Sequence, residues 1–98
     1  MDDKKITLLA ERFQAFSDPN RLKLLKLIAQ SPHPVCVNAM TMQLEISQSA
    51  VSQHLKVLRL AGLVKVKKEG YFKHYSVDQE GIDEFRQLAE LVLGEKLV

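Results

Sequence analysis

A single cysteine, Cys36, supplies all the thiol chemistry of this 98-residue chain. One thiol cannot build an internal disulfide framework, and its scarcity fits a reducing compartment. Although 46% of the residues are hydrophobic, no apolar run approaches the ~20 residues needed for a membrane-spanning helix. Met1-Asp2-Asp3-Lys4-Lys5 leads straight into a periodic segment, without the pattern of a secretory leader. These absences predict a soluble, cytoplasmic protein with no membrane partner. The glycines at 62, 70, 81 and 94 are scattered, so there is no phosphate-cradling glycine-rich loop. No serine stands with an organised His–carboxylate pair, and Asp83, Glu84 and Glu90 read as a solvated helical face. Nothing here calls for an enzyme or a cofactor.

What is present fits one domain over residues 1–98, with chain enough for a modest core. The net charge of +2 says little, but its distribution is uneven. Residues 1–46 are close to neutral. Residues 47–77 hold Lys56, Arg59, Lys65, Lys67, Lys68 and Lys73 against Glu69 alone, and residues 78–98 carry six acids and two bases. A basic block beside an acidic one suggests one surface facing phosphates and another turned away from them.

Apolar residues at helical spacing predict a first helix from Lys4 to about Phe16, with Ile6, Leu9, Ala10, Phe13 and Phe16 inward. Asp18-Pro19 reads as an N-cap followed by a first-turn proline. The second helix then runs to about Gln30 on a stripe of Leu22, Leu25 and Ile28. Pro32 and Pro34 stop it. A third helix is expected from Val37 to Leu44, burying Val37, Met40 and Leu44. The short link Glu45-Ile46-Ser47 then gives the helix–turn–helix spacing, with Glu45 where such a turn favours glycine.

The fourth helix, 48–61, is the distinctive one. Ser47 is a good N-cap and Gly62 suits the position just past the end. Val51, Leu55 and Leu58 fall on one face; Ser49, Ser52, Gln53, Lys56 and Arg59 fall on the other, with no carboxylate among them. Short hydrogen-bonding side chains followed by cations suit a helix lying in a DNA major groove. A solvated face that happens to lack acids is the other reading of this helix taken alone.

After Gly62 the period changes to two. Val64 and Val66 alternate with Lys65 and Lys67, Lys68-Glu69-Gly70 is the expected turn, and Tyr71, Lys73, Tyr75 and Val77 alternate on the return. A hairpin at 64–77 carrying four lysines suits a wing along a phosphate backbone, although lysine on an edge strand also guards against aggregation. A final helix from about Gln79 to Leu93 presents Ile82, Phe85, Leu88, Ala89 and Val92, widened by Leu91 and Leu93. The first and last helices offer more apolar surface than a chain this short can bury, which points to a two-fold homodimer through them. The fold expected is mainly α with a small β-hairpin (α+β): a winged helix-turn-helix of five helices and a two-stranded wing.

Three blocks carry a resemblance to a known family. They are Phe16-Ser17-Asp18-Pro19-Asn20-Arg21-Leu22-Lys23-Leu24-Leu25, the unbroken run from Ser47 to Val64, and Glu69-Gly70 with His74-Tyr75-Ser76-Val77. Over residues 5–93 the chain resembles the ArsR/SmtB family of winged helix-turn-helix repressors. The resemblance implies a homodimer that binds double-stranded DNA at a palindromic operator and represses transcription, often until a metal or another signal releases it.

The family's sensing sites do not carry over. Where some members have Cys-Val-Cys-Asp-Leu in the third helix, this chain has Cys36, Val37, Asn38, Ala39 and Met40. Soft-metal binding needs two or three thiolates, and one remains. Members that bind zinc on the last helix use an Asp-x-His pair and a later His; here Gln79, Gly81 and Val92 stand there. No metal site is therefore expected. Tyr71 stands where an arginine often follows the wing glycine.

Gln48, Ser49, Ser52 and Gln53 are the residues expected at base edges or adjacent phosphates, glutamine suiting the N6/N7 edge of adenine. Lys56, Arg59, Lys65, Lys67, Lys68 and Lys73 are expected to contribute counterion release. Cys36 is either a small packing residue or a redox-sensing thiol, and His54 a packing and capping residue. Two alternatives to a sequence-specific regulator remain at this level. One is a winged-helix protein-interaction module; the other is a metal-responsive repressor with an atypical site, such as one using His33 and Cys36.

Overall fold

The computed structural model describes residues 2–94; Met1 and residues 95–98 of the expected 1–98 domain lie outside the described residues. In chain order its elements are α1 (Asp3–Ala15), α2 (Pro19–Gln30), β1 (Val35–Cys36), α3 (Val37–Leu44), α4 (Gln48–Leu60), β2 (Val64–Glu69), β3 (Phe72–Val77) and α5 (Gln79–Leu93).

Local chemistry sets the helix starts. Asp2, Asp18, Ser47 and Asp78 each lend a side-chain oxygen to orphan backbone N–H groups of the helix that follows. For α2, Asp18 Oδ1 accepts from Asn20 N at 2.8 Å and Arg21 N at 3.2 Å, with Pro19 in the first turn. The end of α4 is equally well defined. Gly62 takes φ +76°, its N–H donates to Arg59 O, and the Leu63 N–H donates to Leu58 O, both at 3.0 Å. That pair of bonds is a Schellman motif, and it turns Leu63 and Val64 into the core. Between α3 and α4 the chain reverses at Glu45, which holds φ 56° and ψ 36°, a left-handed conformation that costs a side-chain-bearing residue about 1 kcal/mol or more.

The main core gathers Leu24 and Ile28 from α2, Met40 from α3, Val51, Leu55 and Leu58 from α4, then Leu63, Val64 and Tyr75. A second cluster of Leu9, Leu88 and Ala89 joins α1 to α5. The two meet where Phe85 packs on Phe13 and Phe16, with ring centroids 5.3 Å and 4.8 Å apart, and where Ile82 leans on the main core.

Several sequence expectations need correction. The sheet has three strands in the order β1-β3-β2, all antiparallel, rather than a two-stranded wing. The added strand is Val35–Cys36, pairing with Tyr75 and His74; two residues after Pro34 are too short to show alternation. The hairpin turn is Gly70-Tyr71, between paired Glu69 and Phe72, and not Lys68-Glu69-Gly70. Only Gly70 can take the positive φ, +62°, that the first central position of a two-residue type II′ turn demands. In α2 the buried stripe is Leu24 and Ile28, while Leu22 is 48% exposed. In α1 the buried residues are Leu9, Arg12 and Ala15; Ile6 and Phe13 lie on the exposed side, and Ala10 is exposed. Periodicity fixed the helices, but a stripe broad enough to be buried twice does not say which edge faces the protein's own core.

Candidate nucleic-acid interface

Val51, Leu55 and Leu58 are completely buried, and this seats α4 on α2 and α3 with its opposite face outward. Gln48, Ser49, Ser52, Gln53, Lys56 and Arg59 are all exposed, as are Lys65, Lys67, Lys68 and Lys73 on the hairpin. Ser49 Oγ lies 3.3 Å from the capping Ser47 Oγ, so the two hydroxyls share the first turn. A helix N-terminus with short polar side chains is suited to receive a phosphate or a base edge.

A cleft of about 560 Å³ separates α4 from the wing. Its walls are Gln48, Ser52, Lys56 and Arg59 from α4, Val66, Tyr71, Phe72, Lys73 and Tyr75 from the hairpin, and Cys36, Val37 and Asn38 from the start of α3. Three cations line it and no carboxylate does. Lys65, Lys67 and Lys68 are not brought into this cleft. Lys67 Nζ is 3.6 Å from Glu69 Oε1, both well exposed, a pairing of the strength that solvent largely cancels. Lys68 and Lys73 stand directly opposite each other across β2 and β3. Like charges so placed destabilise a sheet in isolation, and an anion beside them removes the penalty.

The angle of α4 is held by a polar contact behind it. His54, with a side chain only 18% exposed, places Nε2 3.9 Å from Asp18 Oδ1 and Nδ1 3.4 Å from Arg21 Nη1. Arg21 also donates from Nε to Ala15 O at 2.7 Å and from Nη2 to Gln14 O at 3.2 Å. His54 is thus turned toward the α2 cap and away from the outward face. Desolvation raises the Asp18 pKa, but the Arg21 and Asn20 backbone donors, with the facing His54 and Arg21 charges, together outweigh it and leave the carboxyl below its ordinary value.

Cys36 is a free, half-buried thiol at the N-cap of α3, where its side chain makes no capping bond. Among the described residues no three His, Cys, Asp or Glu side chains gather in a metal-binding cluster, and no helix is long and apolar enough to cross a membrane. Gly81 is packed so tightly that a Cβ would overlap the Gly62 carbonyl, so no side chain, metal-ligating or otherwise, fits at this position. Asn38, Tyr71 and Phe72 were not singled out as contact residues from sequence. Tyr71 and Phe72 carry a signal there: two adjacent aromatics beside the turn glycine cannot both lie on one face of a strand.

Residues 18–66 match the family model described as the bacterial regulatory protein, arsR family. An uncharacterised helix-turn-helix-type transcriptional regulator of Methanocaldococcus jannaschii is 37% identical over 87 residues, covering 89% of this chain and 97% of that protein. A transcriptional repressor SmtB homolog of Synechocystis is 35% identical over 83 residues, covering 84% of this chain and 61% of the other. Among solved structures, HlyU from Vibrio cholerae superposes with a TM-score of 0.74 at 26% identity, over 96% of this chain and 100% of that one.

Proposed function

The chain belongs to the arsR family of bacterial regulatory proteins, a family of DNA-binding transcriptional regulators and not of enzymes, and from that premise we propose that it is a homodimeric, sequence-specific repressor. In this reading α4 enters the major groove of duplex DNA and the wing, 64–77, lies along the backbone. Gln48, Ser49, Ser52 and Gln53 face base edges or nearby phosphates, and Lys56, Arg59, Lys65, Lys67, Lys68 and Lys73 neutralise phosphates. The observation that carries it is the continuous cationic surface formed by α4 and the adjoining cleft, on which no carboxylate stands.

Two copies joined through α1 and α5 fit the apolar residues left uncovered on those helices. Ile6, Phe13, Leu91, Val92 and Leu93 are each 42–66% exposed, more apolar surface in one region than a monomer usually leaves open. A two-fold dimer presents two copies of α4 to a palindromic operator about one helical turn apart.

The test is selection of genomic fragments by the purified protein, with sedimentation of the free protein alongside. Recovery of a palindromic sequence by a dimer supports the reading. A monomer, or a protein that retains no duplex in dilute salt, overturns it. Cys36 lines the cleft, so an adduct on its thiol would stand between α4 and a bound strand. Running the selection under reducing and oxidising conditions reads that effect directly: equal recovery assigns Cys36 to packing.

A further inference from the structure

We propose that the tip of the wing is an apolar wedge: Tyr71, flanked by Phe72, inserts into the minor groove next to the major groove occupied by α4. This rests on the DNA-binding reading above. It assigns the tip a contact made through rings and deoxyribose walls, where a cation would contact phosphates.

The placement of the two rings is the first support. Tyr71 is 97% exposed and Phe72 59%. The chain has only six phenylalanines and tyrosines, so a third of its aromatic residues stand exposed at one hairpin end. The ring pairs in the described residues, Phe13–Phe85 and Phe16–Phe85, lie elsewhere. Tyr71, almost wholly exposed, therefore contributes little to the stability of the free monomer.

Geometry gives the second support. The turn starts at Gly70, and a Cβ there would meet nothing within 4 Å, so the tip projects free of the body. Tyr71 and Phe72 border the same cleft as Ser52, Lys56 and Arg59, which makes the tip continuous with the α4 face. Charge then selects the occupant. Lys68 and Lys73 face each other one residue pair behind the tip, and Glu69, opposite Phe72 in the pair between, has Lys67 Nζ 3.6 Å away, so three lysines against one carboxylate leave the base of the apolar point net positive. A surface complementary to that carries phosphates at its rims and apolar sugar between them, which describes the walls of a minor groove roughly 6 Å wide.

An apolar contact releases no counterions, so it adds affinity without steepening the salt dependence. The probe is a 30-base-pair duplex recovered by the protein in the selection above, titrated at four salt concentrations with full-length variants. Tyr71→Ala combined with Phe72→Ala is expected to weaken binding about tenfold at every salt concentration, with the slope of log K against log salt unchanged. Tyr71→Phe, which keeps the ring, is expected to stay within about twofold of the parent. Lys68→Ala is expected to flatten the slope by about one. The chain has no tryptophan and two tyrosines, of which Tyr75 is buried, so quenching of tyrosine emission on adding duplex reports on Tyr71. Parent-like affinity of the double alanine variant, or a slope that falls as it does for Lys68→Ala, overturns the wedge while leaving the regulator reading standing. Failure of the parent to bind any duplex overturns both.

Discussion

Gly81 of α5 rests on the backbone carbonyl of Gly62, so closely that the two leave no room for a side chain at position 81. The contact joins the end of the α4–β2 corner to the first turn of the terminal helix. Asp78 reinforces it by donating its N–H to Leu63 O at 3.0 Å and capping Gly81 N at 3.1 Å. Gly81→Ala gains about 1 kcal/mol of helix propensity, but the added methyl must push α5 away. We expect a net loss of about 2 kcal/mol, read as a lower urea midpoint at constant m-value. An unchanged midpoint would mean that α5 shifts at no cost.

Lys73 is expected to trade stability for binding. Replacing it by threonine removes its repulsion with Lys68 and favours the strand, raising stability by about 0.5 kcal/mol. The same change should weaken duplex binding and lower the salt slope by about one. Thermal unfolding and anisotropy titration together check this; a loss in both would assign Lys73 a structural role.

Gln53 and Arg59 stand on the same exposed face of α4 and should differ in kind. Gln53→Ala is expected to reduce discrimination between the selected duplex and random DNA by about 1–3 kcal/mol. Arg59→Ala should weaken both duplexes alike. Equal losses on both duplexes for Gln53→Ala would remove it from base reading.

The Asp18 carboxyl titrates below its ordinary value in the folded chain. A depressed folded pKa contributes stability above the unfolded value, near pH 4, and that contribution is lost as pH falls through the folded pKa. Asp18→Asn can still cap α2 but has no charge to lose. The parent should therefore exceed this variant in stability at neutral pH, and the gap should close in acid. Urea titrations from pH 7 to pH 2.5 measure it, and a gap constant across that range would sink the assignment.

Glu45 occupies a left-handed backbone position that glycine fills without steric cost. Glu45→Gly should raise stability by up to about 1 kcal/mol, with α3 and α4 otherwise undisturbed. A circular dichroism melt detects the shift, and a lower melting temperature would show that the glutamate side chain contributes more than its backbone costs.

Much of this architecture can be read from residues alone because caps and periods are local. Asp18-Pro19, Ser47 and Gly62 mark helix boundaries through bonds they make within three or four positions. Strand Val35–Cys36 could not be read so, because it exists only through Tyr75 and His74, some forty residues away. The misplaced stripes of α1 and α2 have the same origin: burial of Leu24 over Leu22, or Ala15 over Ile6, depends on where neighbouring helices cross. In the candidate site, composition and the α4 period marked the exposed polar face. The cleft, and with it Asn38, Tyr71 and Phe72, arises from the angle between hairpin and helix, which no single segment encodes.

Strand β3 has a neighbour on each side, β1 on one edge and β2 on the other. The wing is tied at its root to the residues that begin α3, and α3 packs on α4. In the proposed complex the gap between α4 and the hairpin is then set by these contacts before any nucleic acid arrives. Duplexes whose local groove width does not match must do the bending themselves, so stiff and pliant sequences with identical contacted bases should be told apart by their mechanics.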